Sequence, residues 1–205
     1  LLPSEHTDRA WRIHALAPDF AVEDVWSLPT PGGPDELPRL VEAIFGGEFP
    51  QGAPRLVGWL WEARWKLGGL LHWDDPGGGL EARVPSLRDR IPADELPASG
   101  DPGLDLDPFS PVYLLGDEFA AELANRTVHA IMHLGWVPDG DGGYRGQMAV
   151  LVKPNGVLGW LYMTGIKPFR RYLVYPALLG YVGKRWQATT PSPTRPTTAA
   201  EPATG

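Results

Sequence analysis

Two histidines four residues apart, His129 and His133, follow two carboxylates with the same spacing, Glu118 and Glu122. Imidazole and carboxylate groups serve as metal ligands and as general acids or bases. If residues 117–134 form one helix, all four side chains share a face, and the two imidazoles lie one turn apart, within reach of one metal ion. The metal-binding hypothesis therefore depends on a helix.

A strand is the alternative structure for the same residues. Four residues of a strand span roughly 13 Å, which is too far for both imidazoles to reach one ion. The turn-forming Asn125 and the β-branched Thr127 and Val128 favour a strand. We therefore predict a strand over 127–135 and no metal. In that strand the two histidines share one face, and Val128, Ala130, Met132 and Leu134 point to the other.

Four further polar residues have side chains suited to acid–base or binding roles: Arg64, Tyr144, Arg145 and Tyr162. The glycine-rich segment at 140–147, GDGGYRGQ, lacks the lysine and the strand–loop–helix context of a phosphate loop. The chain also has no GxSxG elbow and no dinucleotide fingerprint. Because there is no cysteine, thiolate metal sites, disulfides and a cysteine nucleophile are excluded. The sequence predicts no cofactor.

Charge and hydropathy limit the partners of the chain. A formal net charge of -7 disfavours sequence-independent binding to nucleic acid, which needs a basic surface. The most apolar stretch, 159–186, has Lys167, Arg170 and Arg171 in its middle, so it is no membrane span. The first residues lack the basic and apolar regions of a signal peptide. We therefore expect a cytoplasmic protein without nucleic-acid or membrane partners. The oligomeric state is not assigned.

The pattern of apolar residues, prolines and glycines predicts one α+β domain. Residues 1–19 form an N-terminal extension, 20–186 the domain, and 187–205 a disordered tail rich in Pro, Thr and Ala. Residues 74–111, rich in Pro, Gly and Asp, are a lid or a disordered loop. The predicted elements are a strand at 22–28, helices at 35–45 and 54–69, a short helix at 86–91, strands at 127–137, 144–153 and 157–167, and a final helix from Pro168 with a kink at Pro176.

Four motifs carry a resemblance to a known family: VEDVWSLP at 22–29, PRLVGWLWEARWKLGGL at 54–70, RTVHAIMHL at 126–134 and GWLYMTGIKPFRRYLV at 159–174. They resemble the bacterial family catalogued as domain of unknown function 2867, itself similar to the START/Bet v 1/polyketide-cyclase (SRPBCC) superfamily. The resemblance implies a helix-grip fold, in which a curved antiparallel sheet wraps around a long C-terminal helix. His129 matches the family position of the mid-chain histidine, so we select it as the candidate catalytic acid or base. Where the family has a second histidine after Pro-Phe, this chain has Arg170.

The helix-grip fold implies an apolar cavity, because a curved sheet around one helix is not filled by side chains alone. Alternation in the last predicted strand places aromatic rings and a hydroxyl on one face. The candidate ligand-binding residues are Trp61, Arg64, Trp65, Trp160, Tyr162 and Thr164. We expect a protein that binds a hydrophobic, carbonyl-bearing small molecule, as a carrier or as a cyclase or isomerase. A metal-dependent protein using His129 and His133, and an interaction module without ligand, are the alternatives.

Deletion of residues 187–205 is expected to leave the melting temperature unchanged. Ordering a residue costs roughly 1–2 kcal/mol of backbone entropy, and this segment has no apolar stripe whose burial offsets that cost. Thermal unfolding of the full chain and of the truncated chain measures the difference. A drop of several degrees would show that the segment packs on the domain.

Overall fold

The computed structural model describes residues 1–46, 84–95, 106, 108–124, 128–156 and 170–189 of the 205-residue chain. The predicted helix at 54–69, the last predicted strand at 157–167 and the chain beyond 189 lie outside these ranges. Among the helices within them, none is both long enough and apolar enough to cross a membrane.

The described strands pair antiparallel in one sheet with the order β1-β5-β4-β3-β2, and helices pack on it. The chain is therefore α+β. The strands are β1 Ala21–Ser27, β2 Ser110–Leu114, β3 Glu118–Ala124, β4 Val128–Pro138 and β5 Tyr144–Pro154. The helices are α1 Ser4–Thr7, α2 Arg12–Leu16, α3 Leu37–Phe45, a 3₁₀ helix Leu87–Arg90, a π-helical turn Arg170–Val174 and α4 Tyr175–Ala188.

The predicted strand at 127–135 is confirmed from Val128, its first described residue, and the helical alternative for 117–134 is wrong. β4 pairs along its whole length with β5, and β3 pairs with β4 from Glu118 opposite Gly135 to Ala124 opposite His129. Alanine, glutamate and leucine in β3 favour a helix by intrinsic propensity. Pairing with a strand on each side overrides that preference, because it satisfies the backbone groups and buries both faces.

The final helix differs from its prediction near Pro176. Instead of a kink inside a continuous helix, the π-helical turn Arg170–Val174 leads directly into α4, and Pro176 lies in the first turn of α4. Proline is tolerated there because first-turn N–H groups have no partner within a helix. α4 continues to Ala188, beyond the predicted boundary at Trp186.

One face of the sheet, here called the N-terminal face, is covered by the first twenty residues and the 3₁₀ helix. Trp11, Ile13 and Leu16 pack on Ile131 of β4 and Leu151 of β5 in one buried cluster. The Arg12 side chain pairs with Glu95, and Arg90 Nη1 donates to the Leu16 carbonyl at 2.8 Å. The first twenty residues are therefore part of the packed core.

The other face, here called the helix-side face, is covered by α3 and α4 next to the β4–β5 hairpin. Leu134, Trp136 and Met148 of the sheet pack there with apolar residues from both helices. The Arg39 guanidinium lies 3.6 Å from the ring centroid of Trp186, and its Nη2 donates to the Trp186 carbonyl at 2.8 Å. These contacts fix α4 against α3 at one half of the face.

The substitution Gly135→Ala is expected to destabilise the fold by about 1–3 kcal/mol, the usual cost of overpacking a core. A Cβ at this position of β4 would lie 2.7 Å from Cζ2 of Trp11, so the indole ring would have to move away from the strand. Urea unfolding monitored by tryptophan fluorescence measures the change. Gly116→Ala is the matched control, because a Cβ there meets nothing within 4 Å. Equal stability of the two variants would contradict this account of the N-terminal face.

Candidate functional site

The predicted catalytic residue, His129, is buried on the N-terminal face and paired with Glu122. Its Nε2 lies 2.7 Å from Glu122 Oε2. The same carboxylate accepts hydrogen bonds from Ser86 Oγ at 2.6 Å and from the Leu87 backbone N–H at 3.0 Å. The ring of Phe20 packs edge-on against the imidazole, with centroids 4.9 Å apart. The proposed acid–base role of His129 stays a prediction.

The second histidine, His133, forms a parallel arrangement with Glu118. His133 Nε2 lies 2.9 Å from Glu118 Oε2, and its Nδ1 lies 3.0 Å from Nε2 of His6 on α1. Glu118 also accepts hydrogen bonds from the Tyr113 hydroxyl at 2.9 Å and from the Arg12 backbone N–H at 2.8 Å. A carboxylate and two imidazoles therefore form one buried chain of hydrogen bonds.

Both carboxylates of β3 also cap helices that lie across the sheet. Arg12 is the first residue of α2, and Leu87 is the first residue of the 3₁₀ helix. Their backbone N–H groups have no partner within their own helices, and Glu118 and Glu122 satisfy them. The two pairs thus fix the first twenty residues and the segment at 84–95 to the sheet.

Burial determines the protonation states in this chain. Burial lowers the pKa of His6 to about 3, helped by His133, His14 and Arg9, and burial lowers the pKa of His133 despite the nearby Glu118. Burial alone would raise the pKa of Glu118. Hydrogen bonds from His133, the Arg12 N–H and Tyr113 outweigh that effect and lower it. Glu118 is therefore ionised and both imidazoles are neutral, so His6 Nε2–H donates to His133 and His133 Nε2–H donates to Glu118.

The two Glu–His pairs have no arrangement suited to a metal ion. Within the part of the chain that the structure describes, no three His, Cys, Asp or Glu side chains are grouped to hold one. Each imidazole nitrogen that meets a carboxylate lies at a hydrogen-bond distance from it. The pairs give the buried carboxylates hydrogen-bond partners and position two helices on the sheet.

The helix-side face differs from the N-terminal face in the middle of the sheet. On the N-terminal face, Ile131 of β4 and Leu151 of β5 are fully buried. On the helix-side face, Met132 and Val150, directly opposite each other on the same two central strands, are only half-buried. Ala130, the next residue of β4 on that face, is half-buried too. The helices therefore leave a strip of apolar surface accessible.

A β-bulge at Glu23 brings a carboxylate to the edge of this strip. Val22 pairs with Leu151 and so lies on the N-terminal face, and alternation would put Asp24 there as well. The register shifts between these two residues, so Asp24 instead pairs with Val150 and turns to the helix-side face. Asp24, Val150 and Met132 then form one cross-strand row.

Asp24 belongs to a group of four side chains, here called the polar corner: Asp24, Trp26, Arg170 and Tyr175. Asp24 Oδ2 accepts a hydrogen bond from the Tyr175 hydroxyl at 2.9 Å and forms an ion pair with Arg170, whose Nη2 lies 2.7 Å away. Burial, together with the Asp24 charge, raises the pKa of Tyr175 despite Arg170, so its hydroxyl stays protonated and donates. The Trp26 and Tyr175 rings lie 4.9 Å apart. The corner is polar, largely buried and adjacent to the apolar strip.

The predicted ligand-binding residues lie outside the described residues, and the structure brings together a different group of side chains, the polar corner. Trp61, Arg64, Trp65, Trp160, Tyr162 and Thr164 fall within 47–83 and 157–169. The polar corner was missed, because no spacing in the sequence connects its members. Arg170 stood out only as a replacement for the histidine that the family resemblance implies. For the Glu–His pairs the sequence did contain a signal: Glu118 and Glu122 have the same spacing as His129 and His133.

A separate cleft of about 320 Å³ lies where β1 ends. It is lined by Ser27, Leu28, Pro29, Thr30, Pro31, Asp139 and Arg145. The lining has no aromatic ring and includes a charged residue of each sign, so it does not suit a flat apolar ligand.

Stability is expected to fall as the pH is lowered from about 7 toward 5. The pKa of His6 changes from an ordinary value of 6.5 to about 3 on folding, so between these values the unfolded chain binds a proton that the folded chain does not. Each such histidine contributes a slope of at most about 1.4 kcal/mol per pH unit, and His133 acts in the same direction. The lowered pKa of Glu118 adds a further loss only below its ordinary value of 4.5.

Chemical denaturation of the wild type and of His6→Gln across this pH range measures the effect. The variant lacks one titrating group, so its stability should depend less steeply on pH. Stability that stays constant between pH 7 and 5 would contradict the neutral imidazoles.

Comparison with known proteins gives a family for the chain. No curated protein and no solved structure matches it. A family model described as "Protein of unknown function (DUF2867)" matches residues 16–177. This range includes all five described strands and the polar corner, whereas His6 and Arg12 precede it. The match extends over most of the chain and confirms the family that the four sequence motifs indicated, and the chain therefore belongs to the DUF2867 family.

Proposed function

We propose that the protein binds a hydrophobic small molecule on the helix-side face of its sheet, as a carrier or as an enzyme of the cyclase or isomerase type. The half-buried strip in the middle of that face is the single observation that carries the proposal. Residues at the centre of internal strands are normally buried on a face that helices cover. Accessible apolar surface at that position suits an apolar ligand.

The dimensions and surroundings of the strip support a flat ligand. Neighbouring strands lie about 4.8 Å apart, so the row from Asp24 through Val150 to Met132 spans roughly 10 Å. The Trp26 ring and the half-buried Leu178 of α4 lie among the apolar residues of the same face. An aromatic ring beside a polar group is typical of sites that orient a largely apolar molecule.

The helix-grip fold and the similarity to the START/Bet v 1/polyketide-cyclase superfamily belong to this proposal. An antiparallel sheet with a helix near the C-terminus is compatible with that fold. In this interpretation α4 is the gripped helix, and the strip is part of the cavity between helix and sheet. The predicted ligand-binding residues, Trp160 and Tyr162 among them, would complete its walls.

The proposed site and His129 lie on opposite faces of the sheet. His129 faces the N-terminal segment, whereas Met132 and Val150 face the helices. A ligand on the helix-side face would therefore meet the polar corner first. If His129 acts as an acid or base, its substrate must approach through the N-terminal segment.

The neutral probe N-phenyl-1-naphthylamine tests the proposal. Its binding should increase its fluorescence, quench tryptophan emission and raise the melting temperature, because a ligand of the folded state alone stabilises that state. Ala130→Leu should fill part of the strip and weaken probe binding roughly tenfold, or about 1.4 kcal/mol. Ala188→Leu, the same change at an exposed position of α4, should leave affinity unchanged. Absence of probe binding, or equal weakening by both variants, would remove the support for this site.

A further inference from the structure

The polar corner has one carboxylate oxygen that is already engaged and one that is available. Asp24 Oδ2 accepts a hydrogen bond from the Tyr175 hydroxyl and forms an ion pair with the Arg170 guanidinium. Within the described residues, Asp24 Oδ1 accepts none, although an ionised carboxylate accepts about two hydrogen bonds per oxygen. A donor on a ligand can therefore add to Asp24 without displacing either neighbour.

Trp26 supplies the complementary group. Its indole Nε1–H is buried and has no acceptor among the described residues. An indole N–H can only donate, and a buried donor without an acceptor is costly, so a ligand oxygen at this point would be stabilising. Asp24 and Trp26 are two residues apart on the same face of β1 after the bulge, a separation of roughly 6.6 Å along the strand. Because both side chains project from the same face, one ligand hydroxyl placed between them can donate to Asp24 and accept from Trp26.

The contacts of Asp24 favour recognition over proton transfer. A general base must take up a proton, and a proton on Asp24 would neutralise the carboxylate 2.7 Å from the largely buried Arg170 guanidinium and leave Glu23, at 3.7 Å, to balance that charge. Loss of a partner from a buried ion pair is strongly unfavourable. A hydrogen bond from a ligand leaves the ion pair intact. The same contacts that would hinder catalysis therefore prepare the carboxylate for binding.

We infer that the polar corner recognises a phenolic or enolic hydroxyl at one end of a flat apolar ligand, through Asp24 Oδ1 and Trp26 Nε1. The inference rests on the proposed function and specifies it. The apolar body of the ligand lies along Val150 and Met132, and the hydroxyl lies at β1. This arrangement assigns the site to selective binding, as in a carrier, rather than to proton abstraction.

Two naphthalenes of nearly equal size test the inference: 2-naphthol, which has the hydroxyl, and 2-methylnaphthalene, which does not. Each is titrated at about pH 7 as a competitor of N-phenyl-1-naphthylamine, and the ratio of the two dissociation constants is compared between proteins. A hydrogen bond to a charged group is stronger than one to a neutral group. Asp24→Asn should therefore reduce the preference for 2-naphthol roughly tenfold, and Trp26→Phe roughly fivefold. Because the ratio is compared, a loss of apolar contact that Trp26→Phe causes for both naphthalenes alike cancels, and only the loss of the hydroxyl contact remains.

Asp35→Asn is the matched control, because it removes one carboxylate from an exposed position and should leave the ratio unchanged. If neither naphthalene binds the wild type, the proposed function fails and the inference with it. If both bind and neither Asp24→Asn nor Trp26→Phe changes the ratio, the pocket stands and the inference is wrong. Should Asp24→Asn not fold, Trp26→Phe decides, since it leaves the contacts of Asp24 with Arg170 and Tyr175 in place.

Discussion

The packing on the N-terminal face of the sheet depends on one requirement: a buried carboxylate needs hydrogen-bond donors as partners. Glu118 and Glu122 lie buried on the N-terminal face of β3, where an ionised group without partners would be prohibitively costly. Each is satisfied by a histidine of β4 and by the N-terminal N–H of a helix on the sheet. The same two side chains therefore link neighbouring strands and fix the layer above them. Pairs of this kind contribute little net stability over an apolar core, but removing one partner is expensive, so they favour one arrangement over its competitors.

The two faces of the sheet differ in how completely they are covered. The N-terminal face is filled, and its two buried carboxylates are matched to histidines and helix N–H groups. The helix-side face has a filled half beside the hairpin and an accessible half beside Asp24. A rigid, fully packed face behind an accessible one is a suitable support for binding, because the strands that present the ligand-facing residues are held from the other side.

Sequence patterns predicted the strands and helices better than they predicted which side chains contact each other. β4 could be predicted because β-branched residues and alternation extend over its length, and α3 because its apolar residues follow a helical period. β3 could not, since its composition favours a helix and only its neighbours make it a strand.

The Glu–His pairs depend on the diagonal register of two strands. The orientation of Asp24 depends on a bulge that moves one residue across the sheet, and simple alternation in VEDVWSL gives the opposite face. The contact between Asp24 and Tyr175 connects residues that are 151 positions apart, so no local pattern in the sequence indicates it.

The contact between His6 and His133, separated by 127 residues, has a consequence for how the chain folds. The first twenty residues leave the ribosome before β3 and β4 exist, so their binding surface is absent while most of the chain is synthesised. During that interval Trp11, Ile13 and Leu16 have no sheet to cover them. Docking of this segment closes a loop of more than one hundred residues, and such non-local contacts form slowly because loop closure must come first. The segment that completes the core is therefore a late-folding one, exposed to chaperones and to association with other chains until it docks.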